Sequence, residues 1–355
     1  MKRFFAFTFF IFLLGSLFAQ DSLAIEQARI KVESFFNANE LPGLSVTIAK
    51  RGKILLSEGF GYADLENKVP VDPAHSKFRI GSVSKSFSAA ALAVLYEHNM
   101  IDIDTAIQVY VPSFPLKQYE ITVREVGGHL GGIRHYKNSE FLSAKKYNSV
   151  LEALDIFKDD PLINEPGTAY VYSSYGWNLV SAAIESAAGE EFLSFMSRVV
   201  FDTLGMINTV PDKNEQIIEG RTRFYQKDSS GKLVNAPYVD NSCKWAGGGF
   251  LSTSEDIIKF AQAQMKPGYL GKETMDVFFT SQKTSSGELT NYGIGWAIYP
   301  MEDGTKFYGH GGGSVGGSTA FVFDPEQEIV VVIISNMSGV NYGMLPFELV
   351  ESFRE

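Results

Sequence analysis

Residues 80–87 read IGSVSKSF, which sets Ser82 three residues ahead of Lys85 where an apolar helical stretch, FSAAALAVLYEH, begins. Two chemistries are open to that pair. Ser82 follows an extended-looking SKFRIG, so its hydroxyl is placed to cap the first helical turn. Positions i and i+3 also share a helix face, which brings the Lys85 amine beside the Ser82 oxygen as a base beside a nucleophile. The second chemistry requires the lysine to shed its proton; desolvation or a second cation nearby favours that by penalising the ammonium. The spacing alone leaves both open.

Other reactive side chains narrow the field. Cys243 is the only cysteine, so the chain has neither an internal disulfide nor a thiolate metal cluster, and NSCKWAGGGF puts no histidine beside it; it reads as a packed small residue. His129 and His135 lack an HExxH pattern or carboxylates at ligand spacing, so no metal is expected, and His129, ahead of Leu130-Gly131-Gly132, reads as bonding a turn. The formal charge of −10 and the lack of any basic run argue against nucleic acid as a partner.

These residues need a scaffold, and 355 residues with 45% hydrophobic composition supply a sizeable core. The first residues, MKRFFAFTFFIFLLGSLFAQ, place a basic Lys2-Arg3 before an apolar run too short to span a bilayer, which predicts a secretory leader over residues 1–19 and an exported protein, periplasmic or extracellular. One domain is expected over 20–355. A helical pattern ending at Pro42-Gly43 leads into LSVTIAKRGKILLSEGFGYAD, which reads as a hairpin turning at Arg51-Gly52. From about residue 82 to 258 helical patterns dominate, including SYGWNLVSAAIESAAG and EEFLSFMSRVVFDTLG. Strand texture returns in YGIGWAIYP, KFYGHGG, STAFVFDP and EIVVVIISN, before a closing helical segment. The predicted class is α/β (α+β): an antiparallel sheet built from both chain ends and covered by helices, with a mainly helical lobe inserted.

Four blocks in order then bear a resemblance. GSVSK, ITVREVGGHLGGIRHY, PGTAYVYSSYGWNLV and YGHGGGSVGG are similar to those of the serine β-lactamase and penicillin-binding-protein superfamily, in the branch of the class C β-lactamases. Arg134-His135-Tyr136 points within it to the mitochondrial serine β-lactamase-like proteins, and WAGGGFLSTSEDIIKF adds a fifth, structural match in which Gly247 to Gly249 read as packing glycines.

The resemblance implies a serine hydrolase working through an acyl-enzyme without a cofactor. Ser82 is the implied nucleophile, Lys85 its partner, and Tyr172 a relay whose phenol, set between cations, has a lowered pKa. The backbone N–H groups of Ser82 and Gly313 are the implied oxyanion donors. Ser174 stands where the family's element usually has asparagine. His310-Gly311-Gly312 stands for its Lys-Thr-Gly or His-x-Gly triplet; Lys283-Thr284-Ser285, which imitates that triplet, leads into a polar turn. A histidine at 310, charging near pH 6.5, predicts better binding of carboxylate-bearing substrates below that pH and an ester or peptide substrate rather than efficient β-lactam turnover. The expected partner is a small molecule, a peptide or a cell-wall-derived fragment; no feature specifies an oligomeric state. The rival reading is a catalytically idle relative that binds peptide or cell-wall fragments.

Overall fold

The computed structural model describes residues 22–354, so the leader expected over residues 1–19 lies outside the described residues. A helix over residues 22–38 leads into β1 (Gly43–Lys50) and β2 (Lys53–Asp64), an antiparallel pair that turns at Arg51 and Gly52, both with positive φ, as the Arg51-Gly52 dipeptide predicts. Short β3 (Val69–Pro70) pairs with β2 at the edge. In the middle of the chain lie β4 (Phe78–Arg79), β5 (Val210–Pro211), β6 (Tyr225–Lys227), β7 (Leu233–Asn235) and β8 (Phe250–Ser252). The last third contributes β9 (Ala297–Pro300), β10 (Lys306–Ser314), β11 (Gly317–Asp324) and β12 (Ile329–Ser335).

Seven of these strands form one sheet in the order β3-β2-β1-β12-β11-β10-β9. Its centre is where the two ends of the chain meet: β1 pairs with β12 antiparallel from Leu44↔Ser335 to Lys50↔Ile329. Both strands are buried along their whole length because each face of the sheet is covered. On one side Val331 and Ile333 pack with Ala28 and Val32 of the first helix and Leu349 and Val350 of the last, Leu345–Glu351. On the other, Val330, Val332 and Ile334 join Phe87, Trp177, Phe260 and Trp296. Alternate residues of β12 thus serve two separate cores, which is why EIVVVIISN shows no polar alternation.

The class predicted from sequence is the one observed. The inserted stretch is less purely helical than its periodicity implies. Between the helices Ser84–Glu97 and Ser174–Ala188 lie long connections, and β4, β8 and β5 form a three-stranded sheet of their own. Within EEFLSFMSRVVFDTLG the α-helix covers only Phe192–Met196 before widening into a π turn over Ser197–Asp202. Pairing of strands only two or three residues long depends on distant partners, so local periodicity carries no trace of it.

Candidate active site

The turn that carries Ser82 is fastened from both sides. Arg79, just upstream on β4, donates to Asp212 Oδ2 at 2.7 Å in a buried ion pair and to the Val315 carbonyl at 2.8 Å. A buried pair of this kind adds little net stability but fixes geometry, because losing either member strands a charge. Asp212 belongs to the inserted region and Val315 to the β10–β11 turn, so one guanidinium ties the strand before the site to both halves of the molecule. Strand β10 then passes against the turn at backbone distance: a Cβ on Gly312 would lie 2.0 Å from the Ile80 carbonyl oxygen, and one on Gly81, whose φ is +51°, would lie 2.5 Å from that of Gly313. Only glycine fits either place.

Gly81–Val83 form a single 3-10 turn ahead of the helix Ser84–Glu97, and no side chain caps either start. The Ser82 hydroxyl is therefore not used as a cap, which removes one of the two readings of IGSVSKSF. It meets Lys85 Nζ at 3.0 Å.

Lys85 is 0% exposed and also contacts Ser174 Oγ at 3.1 Å and the Gly247 carbonyl at 2.6 Å. Burial, reinforced by the charge of Lys244, holds its pKa well below the ordinary lysine value. A neutral amine has two N–H groups and one lone pair. With the N–H groups given to Gly247 and Ser174, the lone pair faces the Ser82 O–H, which is the arrangement a general base needs. Gly247, read from sequence as a packing residue, supplies one of these contacts through its carbonyl.

Tyr172 lies on the extended segment before the helix Ser174–Ala188. That helix is capped by Ser173, whose Oγ accepts from Gly176 N–H at 3.0 Å and donates to the Arg134 carbonyl at 2.7 Å. The tyrosine ring lies 4.9 Å from Lys85 Nζ and packs on His129 with centroids 4.3 Å apart. Its phenol is pushed up from the ordinary tyrosine range by burial, opposed by its contact with the Ser82 hydroxyl. This corrects the lowered pKa expected from sequence: burial dominates, and the adjacent Lys85 is itself held toward the neutral amine and does not stabilise a phenolate. His129 accepts from Ser173 N–H through Nδ1 at 3.1 Å, so its bond is to the start of a distant helix rather than to its own turn, and His135 accepts likewise from Ser174 N–H at 3.1 Å. Burial holds His135 down at about 4.

His310 requires the larger correction. Its Nδ1 donates to the Gly311 carbonyl at 2.6 Å and its Nε2 accepts from the Tyr292 hydroxyl at 2.9 Å, so both nitrogens are spent inside the fold. Burial pushes its pKa down to about 3. It does not line the cavity that holds Ser82, and it gains no charge near pH 6.5 to attract a carboxylate. Gly313 and Ser174 do line that cavity, while Gly312 acts through its missing side chain. The imitation triplet at Lys283 sits in a tight loop closed by Thr284 N–H to the Glu288 carbonyl at 2.9 Å.

The cavity, about 320 Å³, is also lined by His135, Tyr136, Phe141 and Lys244. That volume would hold roughly ten waters at ~30 Å³ each, which suits a small substrate group. The loop bearing its aromatic residues is pinned by Arg134, which reaches Glu140 at 2.7 Å and also pairs with Asp160. Lys244 went unnoticed in the sequence although it adjoins Cys243 and lies three residues ahead of Gly247; nothing local distinguishes it from a surface lysine.

Comparison with known proteins matches this geometry to a family. The family described as Beta-lactamase matches residues 28–344. The mouse (Mus musculus) serine beta-lactamase-like protein LACTB, mitochondrial, is 31% identical over 94% of this chain and 80% of its own length. The octameric penicillin-binding protein homologue from Pyrococcus abyssi superposes with a TM-score of 0.78 at 25% identity, covering 92% of this chain and 75% of that one. A class C beta-lactamase structure reaches the same TM-score of 0.78 at 17% identity over 94% and 98% of the two chains, a likeness of fold. The chain belongs to the β-lactamase family, within the β-lactamase-like serine hydrolase superfamily and similar to the LACTB proteins.

Proposed function

We propose that this member of the β-lactamase family is an exported enzyme that forms an acyl-enzyme on Ser82 and acts on esters or peptide amides rather than as an efficient β-lactamase. One observation carries the reading: the fully buried Lys85 amine, with its pKa depressed, meets the Ser82 hydroxyl at 3.0 Å. Lys85 takes the Ser82 proton as the oxygen attacks the carbonyl carbon. The developing oxyanion is met by the backbone N–H groups of Ser82 and Gly313. Tyr172, a neutral phenol, gives its proton to the departing group and takes one back from the protonated Lys85, which returns to the neutral amine. Water then repeats the attack, with the same base, and releases the acid.

The substrate preference follows from the sheet side of the cleft. A penicillin carries a carboxylate, and His310 offers no cation at the place of the family triplet because both its nitrogens are bonded and it stays neutral. Export rests on the basic-then-apolar leader and is tested by sequencing the mature N-terminus of the protein recovered from cell fractions. Mechanism is tested by intact mass: a fluorophosphonate should add one adduct to the peptide holding Ser82, and Ser82→Ala should take up none. Labelling that persists in Ser82→Ala would refute the assignment.

A further inference from the structure

A second lysine in the same cavity has no part in the acyl-transfer scheme. Lys244 is 4% exposed and lines the pocket that holds Ser82. Its ammonium forms no ion pair within 4.0 Å among the described residues, although acidic groups are near. Asp240 is taken up by the Ser242 N–H and hydroxyl, and Asp212 by Arg79 and Asn241. What remains to Lys244 is a long 3.5 Å contact to the Phe141 carbonyl and the faces of two rings, Phe141 at 4.6 Å and Tyr136 at 5.5 Å. Burying a cation without a carboxylate is costly and rings repay only part of that cost, so burial lowers the Lys244 pKa from the ordinary lysine value, a loss that an entering carboxylate would reverse. No Asp or Glu lines the pocket to complete the pair.

We infer that Lys244 is the substrate-binding cation of this cleft, and that the preferred acyl group carries a carboxylate which pairs with it. The inference rests on the acyl-enzyme reading above and deepens it. A cation on the acyl side holds its partner through both half-reactions, since the acyl group stays on Ser82 after the first group has left. It also places the anion seat among Tyr136 and Phe141, away from His310, which does not line this cavity. A carboxylate there supplies the charge-assisted hydrogen bonds that the three ammonium protons lack.

The test compares mono-(4-nitrophenyl) glutarate with 4-nitrophenyl pentanoate, which share a leaving group and differ chiefly in the terminal carboxylate. The unaltered enzyme should favour the glutarate in kcat/KM. Lys244→Met should lower the ratio of the two by about tenfold or more, and Lys244→Arg should keep most of it. The ratio is read, because Lys244 also bears on Lys85 and its loss can shift both rates. Equal losses on both esters, leaving the ratio unchanged, would overturn the inference. Should the variants fold poorly, the unaltered enzyme decides: glutarate should slow fluorophosphonate labelling of Ser82 and 1-pentanol at the same concentration should not, and no difference would overturn it. Absence of any labelling at Ser82 would instead refute the serine mechanism, so the two failures are distinguishable.

Discussion

The helical side of the cleft and its sheet side divide the work unequally. The helical side presents amines and hydroxyls: Lys85, Tyr172, Ser174 and Lys244 all line or underlie the pocket. The sheet side presents backbone, and His310 on it is bonded to Tyr292 and to the Gly311 carbonyl. Chemistry is therefore exposed to side-chain substitution on one wall, and shape is exposed to added volume on the other.

The most severe break in that division is Ser82→Ala, which should cut turnover by about 10³-fold or more and abolish acyl-adduct formation, read by steady-state rates and intact mass. Next come Lys85→Met and Tyr172→Phe. Each should slow acylation by about a hundredfold, and the double variant should lose far less than the product of the two, because they serve one proton path. The pH dependence follows from the same lysine. Lys85 accepts a proton only when neutral, and its pKa is depressed, so kcat/KM for a neutral ester should climb as pH rises through that lowered value and then level off well below the ordinary lysine range. Lys85→Met should flatten the climb.

On the sheet wall, Gly312→Ala sharpens the contrast. Its new methyl would press on the Ile80 carbonyl, and overpacking of this kind costs about 1–3 kcal/mol, so a lower Tm and an acylation rate down by roughly tenfold are expected. Gly311→Ala meets nothing within 4 Å and should change both far less. The smallest effect belongs to His310. With His310 held at about 3 and His135 at about 4, neutral-ester activity should show no histidine limb between about pH 5.5 and about pH 7.5. An inflection near pH 6.5 that vanishes in His310→Gln would show that the sheet wall does contribute charge.

Much of the scaffold was legible because its signals are local. The turn at Arg51-Gly52 and the unbroken apolar run of β12 needed nothing beyond neighbouring residues, and the meeting of β1 with β12 followed from strand texture at both chain ends. The short strands β4, β5 and β8 were not legible, since each is held by partners far away in the chain.

For the site, the sequence by itself determined which groups could react: a serine and a lysine one helical turn apart, a tyrosine ahead of a helix, and glycines where β10 must pass closely. Only the tertiary structure decided their protonation and their access. Lys85 is driven toward the neutral amine, and Tyr172 kept from ionising, by burial that long-range packing imposes. His310 was misjudged and Lys244 overlooked for the same reason. A histidine next to a glycine run and a lysine next to a cysteine look alike in the chain. Desolvation, and the presence or absence of a partner for each nitrogen, arise only when distant segments close around them, and those leave His310 bonded and neutral and Lys244 buried without a carboxylate, its pKa lowered.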